Sequence, residues 1–478
     1  MPAGITIVGL GPGDSQYWTR AADSLLQQAT EIYVGVTSHP SLAAVPAKIC
    51  SLTEASPAAG DGPEQLAAEV VRLGRRETGV IYAVPGHPLE DAALPHIRAL
   101  AEVQRVPLTL IPGLSLVEAA ATAVKLETLR KLQIVHADEV AHLHHPPLAP
   151  DQPALLPGLS NPALAERVKQ VLLNAYAENV TVTLVQGSAQ VWSGFLAQLD
   201  QQTRFDEFTL LYLPADPGNS SLPTFQETIA HLRAPEGCPW DREQTHHSLR
   251  PFLLEETYEV LEALDAANPT ALAEELGDLL LQILLHTQLA TEAGDFKMGD
   301  VIGHIHRKLV RRHPHVFGDV TVNGADEVTT NWEAIKRVER ATSNGQNETP
   351  PSVLDGVPAA LPALAQALTI SKRVVRVGFE WPTIEGVLDK LIEEAREITE
   401  ATHPADLEAE IGDLLFSAVN LARWRKVDPE SALRATNARF TRRFKRLELL
   451  ATGQGKALTD MTIEELDALW EEAKVLEG

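Results

Sequence analysis

Cysteine is nearly absent from the 478 residues: Cys50 and Cys238 stand far apart and form no CxxC pair. That excludes a disulfide framework and a thiolate metal site. A long hydrophobic run is also missing. The most apolar stretch, Leu279–Leu289, is interrupted by Gln282, His286 and Gln288, and it falls well short of the ~20 apolar residues that span a bilayer. The opening Met-Pro-Ala-Gly-Ile-Thr-Ile-Val has no basic stretch ahead of an apolar run, so it does not read as a signal peptide. Positive charge is outweighed, with 40 Lys and Arg against 65 Asp and Glu, a formal net charge of −25. Such a chain is a poor match for a nucleic-acid duplex or an anionic membrane. A phosphate-bearing small molecule stays compatible, because a bound divalent cation reverses the local sign. The expectation is a reduced, cytoplasmic protein whose partners include neither nucleic acid nor membrane.

The chain is too long for one ordinary core, and its character changes near residue 220. Before that point, short β-rich runs end in Gly or Pro: Ile5–Gly11, Val80–Gly86, Leu108–Gly113, Leu132–His136, Val180–Gly187 and Phe208–Pro214. Helix-forming stretches separate them, which predicts an α/β domain with a largely parallel sheet. The Pro-rich stretch His145–Pro162 is expected to loop out between two halves of that domain. Linker composition at Pro214–Thr224 then gives way to long helical periodicities, and a polar divider at Ala341–Ser352 splits the helical region in two. The expected domains are 1–217, 225–340 and 353–478.

The two helical parts repeat one another. Glu255-Glu256-x-x-Glu259 and Glu275-Leu276-Gly277-Asp278-Leu279-Leu280 return as Glu393-Glu394-x-x-Glu397 and Glu410-Ile411-Gly412-Asp413-Leu414-Leu415. Basic clusters follow each, Arg307, Lys308, Arg311 and Arg312 in the first copy and Arg439, Arg442 and Arg443 in the second, and each copy ends on a helical Trp, Trp332 or Trp470.

Residues three or four apart share a helix face, so Glu256 and Glu259 point one way, as do Glu275 and Asp278. Packing the two helices together converges four carboxylates, which repel unless a cation sits among them; all-oxygen coordination suits Mg²⁺. The same holds for Glu394, Glu397, Glu410 and Asp413. Mg²⁺ usually keeps a few carboxylates and adds substrate phosphate oxygens, and arginines such as Arg439, Arg442 and Arg443 grip phosphate in fork geometry. An isolated E-x-x-E in an acidic chain is most often a solvated face; its linked duplication is what points to metal.

These residues resemble the MazG family of all-α nucleoside triphosphate pyrophosphohydrolases over roughly residues 225–478. Glu236-Gly237-Cys238-Pro239-Trp240-Asp241 with Gln244-Thr245, Arg311-Arg312-His313-Pro314-His315-Val316-Phe317, and Val377-Gly378-Phe379-Glu380-Trp381-Pro382 look like motifs of that family in the expected order. The resemblance implies hydrolysis of a nucleoside triphosphate to monophosphate and pyrophosphate. It implies Mg²⁺ on Glu394, Glu397, Glu410 and Asp413, with Lys390, Arg439, Arg442, Arg443 and Trp470 near the nucleotide. Glu394, or Glu393 where metal leaves it free to orient water, is then catalytic. Lys390 one turn ahead of the second acidic helix, where the first copy has Phe252, favours the second copy as the main site. MazG-like helices usually complete their core by pairing, which implies a homodimer or higher homo-oligomer.

The N-terminal half opens with Gly9-Leu10-Gly11-Pro12-Gly13-Asp14, a turn that lets backbone approach a ligand closely but lacks the spacing of a dinucleotide fingerprint. With Tyr82-Ala83-Val84-Pro85-Gly86-His87-Pro88, Ile111-Pro112-Gly113-Leu114-Ser115 and Val185-Gln186-Gly187, it resembles the tetrapyrrole (corrin/porphyrin) methylase family over about residues 4–215. That resemblance implies an α/β domain binding S-adenosylmethionine, with Gly9, Gly11, Gly13, Asp14, Pro85, Gly86 and Ser115 at the cofactor. His87 stands where the family commonly has Asp, and Leu116 where a second Ser is usual, which counts against methyl transfer to a tetrapyrrole. The resulting fold class is multidomain: a methylase-like α/β domain followed by two all-α MazG-like domains. The competing reading is an S-adenosylmethionine-dependent methyltransferase regulated by a nucleotide-sensing helical half.

Overall fold

The computed structural model describes residues 4–52, 62–343 and 352–477. Positions 344–351 of the expected polar divider lie outside the described residues. The chain forms two compact units, residues 1–242 and 243–478.

The first unit carries two five-stranded sheets. β1 (Ile5–Gly9), β2 (Glu31–Val34), β3 (Lys48–Ser51), β4 (Val80–Val84) and β5 (Leu108–Ile111) run parallel in the order β3-β2-β4-β1-β5. Ile7, Val8, Ala83 and Val84 are buried, consistent with a parallel sheet covered on both faces. The second sheet joins β6 (Gln133–Ile134), β7 (Ala154–Pro157), β8 (Thr181–Gln186), β9 (Ala189–Phe195) and β10 (Thr209–Leu213) in the order β6-β7-β10-β8-β9. Its β6–β7 pair is parallel and the rest antiparallel, so the single, largely parallel sheet expected from sequence is corrected to two sheets of different kind. β7 also overturns the loop expected across His145–Pro162. Ala154, Leu155 and Leu156 are fully buried between β6 and β10, while the flanking prolines disguise so short a strand. The helix Leu222–Arg233, which begins inside the expected linker Pro214–Thr224, lies within this unit: Asp151 accepts from the Ser221 backbone N–H at 3.0 Å and from its hydroxyl at 2.9 Å, tying down the helix start.

The second unit is helical throughout its described secondary structure. Its first repeat contains α1 (Arg250–Asp265), α2 (Pro269–Ala293), α3 (Met298–Arg312) and α4 (Ala325–Ser343). The second contains α5 (Ala363–Val375), α6 (Ile384–Glu400), α7 (Pro404–Trp424), α8 (Pro429–Gly453) and α9 (Ile463–Glu477). Local sequence sets these boundaries. α2, α7 and α8 each begin with Pro at the first turn behind a side chain that caps backbone N–H groups: Asn268, His403 and Asp428. α2 ends on Gly294 in the left-handed region (φ 80°). One polar interruption of its apolar run has a local partner: the His286 and His246 Nδ1 atoms lie 2.8 Å apart. Among the described residues, no helix is long and apolar enough to cross a membrane.

Candidate functional site

In each repeat a three-residue turn folds two helices into an antiparallel pair, α1 with α2 and α6 with α7. Glu259 and Glu275 each lie eight residues from Ala267, the middle of the first turn, so they sit level on facing helices. In the second repeat the level pair is Glu394 and Glu410, each eight residues from Thr402. The separation between the two motifs is shorter in the second repeat, 397 to 410 against 259 to 275, and the carboxylates are offset by about one helical turn as a result.

Both arrangements bring acids together. Oxygens of Glu256, Glu259 and Glu275 lie within 4.8 Å of one another, as do those of Glu394, Glu397 and Glu410. Asp278 and Asp413, predicted as fourth ligands, are not in these trios. Asp278 still raises the carboxyls of Glu256 and Glu275 through its charge, whereas Asp413 lies one turn past the level pair and is exposed.

The two clusters are compensated differently. Among the cluster-lining groups of the first, burial and then neighbouring acids push Glu256 and Glu275 upward. In the second, the Lys390 ammonium lies 2.7 Å from Glu394 and 3.0 Å from Glu393. That contact holds the Glu394 carboxyl down although the residue is only 4% exposed, and holds Lys390 well above the usual lysine range. Glu397 is pushed up, first by burial and then by the charges of Glu410 and Glu394. Three carboxylates and one ammonium on a helix pair fit an oxygen-coordinated divalent cation, with no nitrogen or sulfur donor among the trio.

Arg439 and Arg442 are exposed on α8 and Arg443 is half-buried there. Trp470 reaches α8 from α9: its ring lies 5.0 Å from that of Phe440, beside the buried Leu447 and Leu469. The side chain therefore packs α9 onto the helix that carries the arginines. Trp332 in the first repeat sits instead under the Lys336 ammonium, 4.0 Å from the ring centroid.

Sequence reading passed over two further networks. Glu380 accepts from Arg423 Nη2 at 2.8 Å, Trp424 Nε1 at 3.0 Å and the Trp381 backbone N–H at 2.9 Å. Arg423 Nε also donates to Ser371 Oγ at 2.7 Å, and that hydroxyl donates to Asn420 Oδ1 at 2.6 Å. The Glu380 motif thus staples the α5–α6 connection to the end of α7. In the first repeat, Glu339 of α4 accepts from Arg311 Nε at 2.7 Å and Arg312 Nη2 at 2.6 Å. These contacts, Arg312 foremost, hold its carboxyl down at about 2.

In the first unit, loops at the C-terminal ends of β1, β4 and β5 converge. A Cβ on Gly9 would fall 2.5 Å from the Gly86 carbonyl oxygen and 2.6 Å from the Gly113 nitrogen, so only glycine permits the approach. Gly11 and Gly86, both with positive φ, exchange backbone hydrogen bonds of 3.2 and 2.9 Å. The Gly11 carbonyl also meets Nε2 of the buried His39 at 2.9 Å, and burial keeps that imidazole's pKa low. Gly13 packs against the Tyr17 ring, and Asp14 caps the short turn after it, accepting from the Gln16 N–H. Pro85 precedes Gly86 in the β4 loop, while Ser115 caps the helix Leu116–Ala123 and donates to Glu90. A cavity of about 410 Å³ opens beside Glu90, Ser115, Glu118 and His136; of the residues assigned to the cofactor, Ser115 alone lines it.

The family pattern of the MazG nucleotide pyrophosphohydrolase domain matches residues 244–317 and again 383–447, and that of the tetrapyrrole (corrin/porphyrin) methylases matches residues 4–199. An uncharacterised protein of Bacillus subtilis, YabN, is 35% identical over 501 aligned positions, covering 100% of this chain and 99% of the relative. The MazG nucleoside triphosphate pyrophosphohydrolase/pyrophosphatase of Thermotoga maritima is 46% identical over 253 residues, covering 52% of this chain and 95% of its own. The Escherichia coli nucleoside triphosphate pyrophosphohydrolase is 43% identical over 252 residues. A solved uroporphyrin-III-C-methyltransferase of Thermus thermophilus aligns with 45% of this chain at 19% identity and a TM-score of 0.36. The acidic helix pairs fall inside both MazG matches and the converging glycine loops inside the methylase match, so the chain belongs to the MazG nucleotide pyrophosphohydrolase family and carries a tetrapyrrole methylase domain at its N-terminal end.

Proposed function

We propose that the chain hydrolyses nucleoside triphosphates to monophosphate and pyrophosphate at the second repeat, in a Mg²⁺-dependent reaction. The observation that carries this reading is the convergence of Glu394, Glu397 and Glu410 beside Lys390. Glu394, Glu397, Glu410 and, from the next turn, Asp413 would hold the metal, and the first-repeat set of Glu256, Glu259, Glu275 and Asp278 offers a second position of the same chemistry. Bound Mg²⁺ supplies Lewis-acid polarisation of phosphoryl oxygens and a more acidic water.

The chain's own side chains do the rest. Lys390 neutralises the inner carboxylates and is placed to meet an anionic substrate. Glu393, exposed and one residue from the trio, orients a water as general base. Arg439, Arg442 and Arg443 hold phosphate oxygens and offset the charge that develops on them. Trp470, already a packing residue, offers its remaining face to the base. Apolar side chains exposed on α7, among them Ile411 and Leu415, support a homodimer that covers them.

For the first unit we propose S-adenosylmethionine binding where Gly9, Gly11, Gly13, Asp14, Pro85, Gly86 and Ser115 cluster; when bound, that cofactor supplies a methyl group. The converging loops at the C-terminal strand ends support a ligand there.

The test is turnover of ribo- and deoxynucleoside triphosphates with and without Mg²⁺, resolving pyrophosphate from orthophosphate. Metal-dependent pyrophosphate with monophosphate is expected; orthophosphate alone, or no turnover, overturns the reading. Calorimetric titration with S-adenosylmethionine tests the first unit independently.

A further inference from the structure

His246 and His286 belong to neither acidic cluster. His246 stands in the turn ahead of α1, and His286 sits on α2. The 2.8 Å between their Nδ1 atoms goes with parallel rings whose centroids are 5.1 Å apart, about the largest separation that such a contact permits. The rings therefore lie end to end in one plane, and the two nitrogens face each other along a hydrogen-bond axis with room for one proton. Nε2 of His286 is buried without a partner among the described residues. A bare lone pair there costs less than an N–H with no acceptor, so His286 donates through Nδ1 and His246 accepts. A further proton would either crowd between the two Nδ1 atoms or leave a buried Nε2–H without an acceptor. Burial, and then the charge of His246, keeps the His286 imidazole below its usual value of 6.5.

The turn centred on Ala267 joins α1 and α2 at one end. Ser248 and His286 each lie nineteen residues from it, so the histidine bond closes the opposite end, with Glu256, Glu259 and Glu275 repelling one another in between. The ionisable residues nearest in sequence are Glu243, His247 and Arg250 around the start of α1, and Asp278 and Glu292 on α2. Among the described residues none of these bonds to either ring, and the charge that acts on His286 is that of His246. In the second repeat Leu421 stands 135 positions after His286, as Glu410 stands 135 after Glu275, so that copy lacks the bond.

We propose that the His246–His286 bond is a proton-sensitive clamp on the first repeat, holding the lead-in of α1 against α2 at neutral pH and releasing it in mild acid. Because the folded His286 binds its proton less readily than the unfolded one, the stabilisation is present above about pH 6.5 and is lost as pH falls below it.

Hydrogen exchange of the full chain, read by mass spectrometry at about pH 7.5 and about pH 5.5 and normalised for chemical exchange, tests the clamp. In the wild type, residues 244–249 and the first turn of α1 should exchange about tenfold or more faster at the lower pH, whereas the turn ahead of α6 should not change. His286→Leu should make the first-repeat lead-in exchange fast at both pH values. His246→Asn, whose Oδ1 accepts from His286 Nδ1 in either charge state, should keep it slow at both, which separates loss of the clamp from misfolding. Equal wild-type exchange at the two pH values, or a pH dependence that survives His286→Leu, overturns the proposal. The readout needs neither metal nor nucleotide, so its outcome is independent of whether the chain hydrolyses triphosphates.

Discussion

Glu394 is almost fully buried among acids, and the contact that lets it stay ionised is Lys390. Glu394→Gln should lower Mg²⁺-dependent turnover by about a hundredfold or more, the scale expected when transition-state charge stabilisation is lost. The same variant should also lose most of the Mg²⁺-induced rise in Tm, which follows the metal by mass action. Both are read by steady-state kinetics and by melting with and without Mg²⁺; a full Tm rise with intact turnover would show that Glu394 holds no metal. Glu380 makes a different demand. Its partners, Arg423 and Trp424, are 43 and 44 residues away, so no spacing rule could reveal them. The motif around Glu380 was visible as a family resemblance, but its stapling role was not. Glu380→Gln keeps the shape and removes the charge from a half-buried ion pair, and should cost about 1–3 kcal/mol in urea unfolding.

At the scale of elements, the acidic helix pairs were the most legible part of the chain. Spacings of three and four on a helix fix a face regardless of tertiary context, which is why Glu256 with Glu259 and Glu394 with Glu397 were identifiable. The offset between repeats was hidden, because it depends on where each turn falls. So was β7: the three residues between Pro153 and Pro157 carry too little pattern to distinguish a buried strand from a loop. The tie between α3 and α4 through Glu339 yields a pH prediction. Its folded pKa of about 2 lies below an unfolded value near 4.5, so its stabilisation is fully present above about pH 4.5 and disappears as pH falls toward 2. Wild type should therefore lose Tm more steeply than Glu339→Gln between those limits, while the two curves run parallel above pH 5. Parallel curves throughout would mean that the ion pair contributes nothing.

At the scale of the whole molecule, duplication leaves matching stripes uncovered. Leu276 and Leu280 on α2 are 49% and 37% exposed, and their repeat partners Ile411 and Leu415 on α7 are 44% and 52% exposed. Leaving such residues in water forfeits about 1.5–3 kcal/mol for each side chain that could be fully buried, and two related stripes in one chain are self-complementary under a twofold axis. Within one chain the apolar run on α2 is only half-covered, and a second copy would supply what is missing. Sedimentation of the purified protein should accordingly give about twice 51.9 kDa. Leu280→Glu with Leu415→Glu should shift it to the single-chain mass, since an inserted carboxylate cannot enter a dry interface without a partner. Circular dichroism unchanged by the pair of substitutions would separate dissociation from unfolding. A wild-type chain that sediments at 51.9 kDa at micromolar concentration would place the apolar stripes at the service of some other partner.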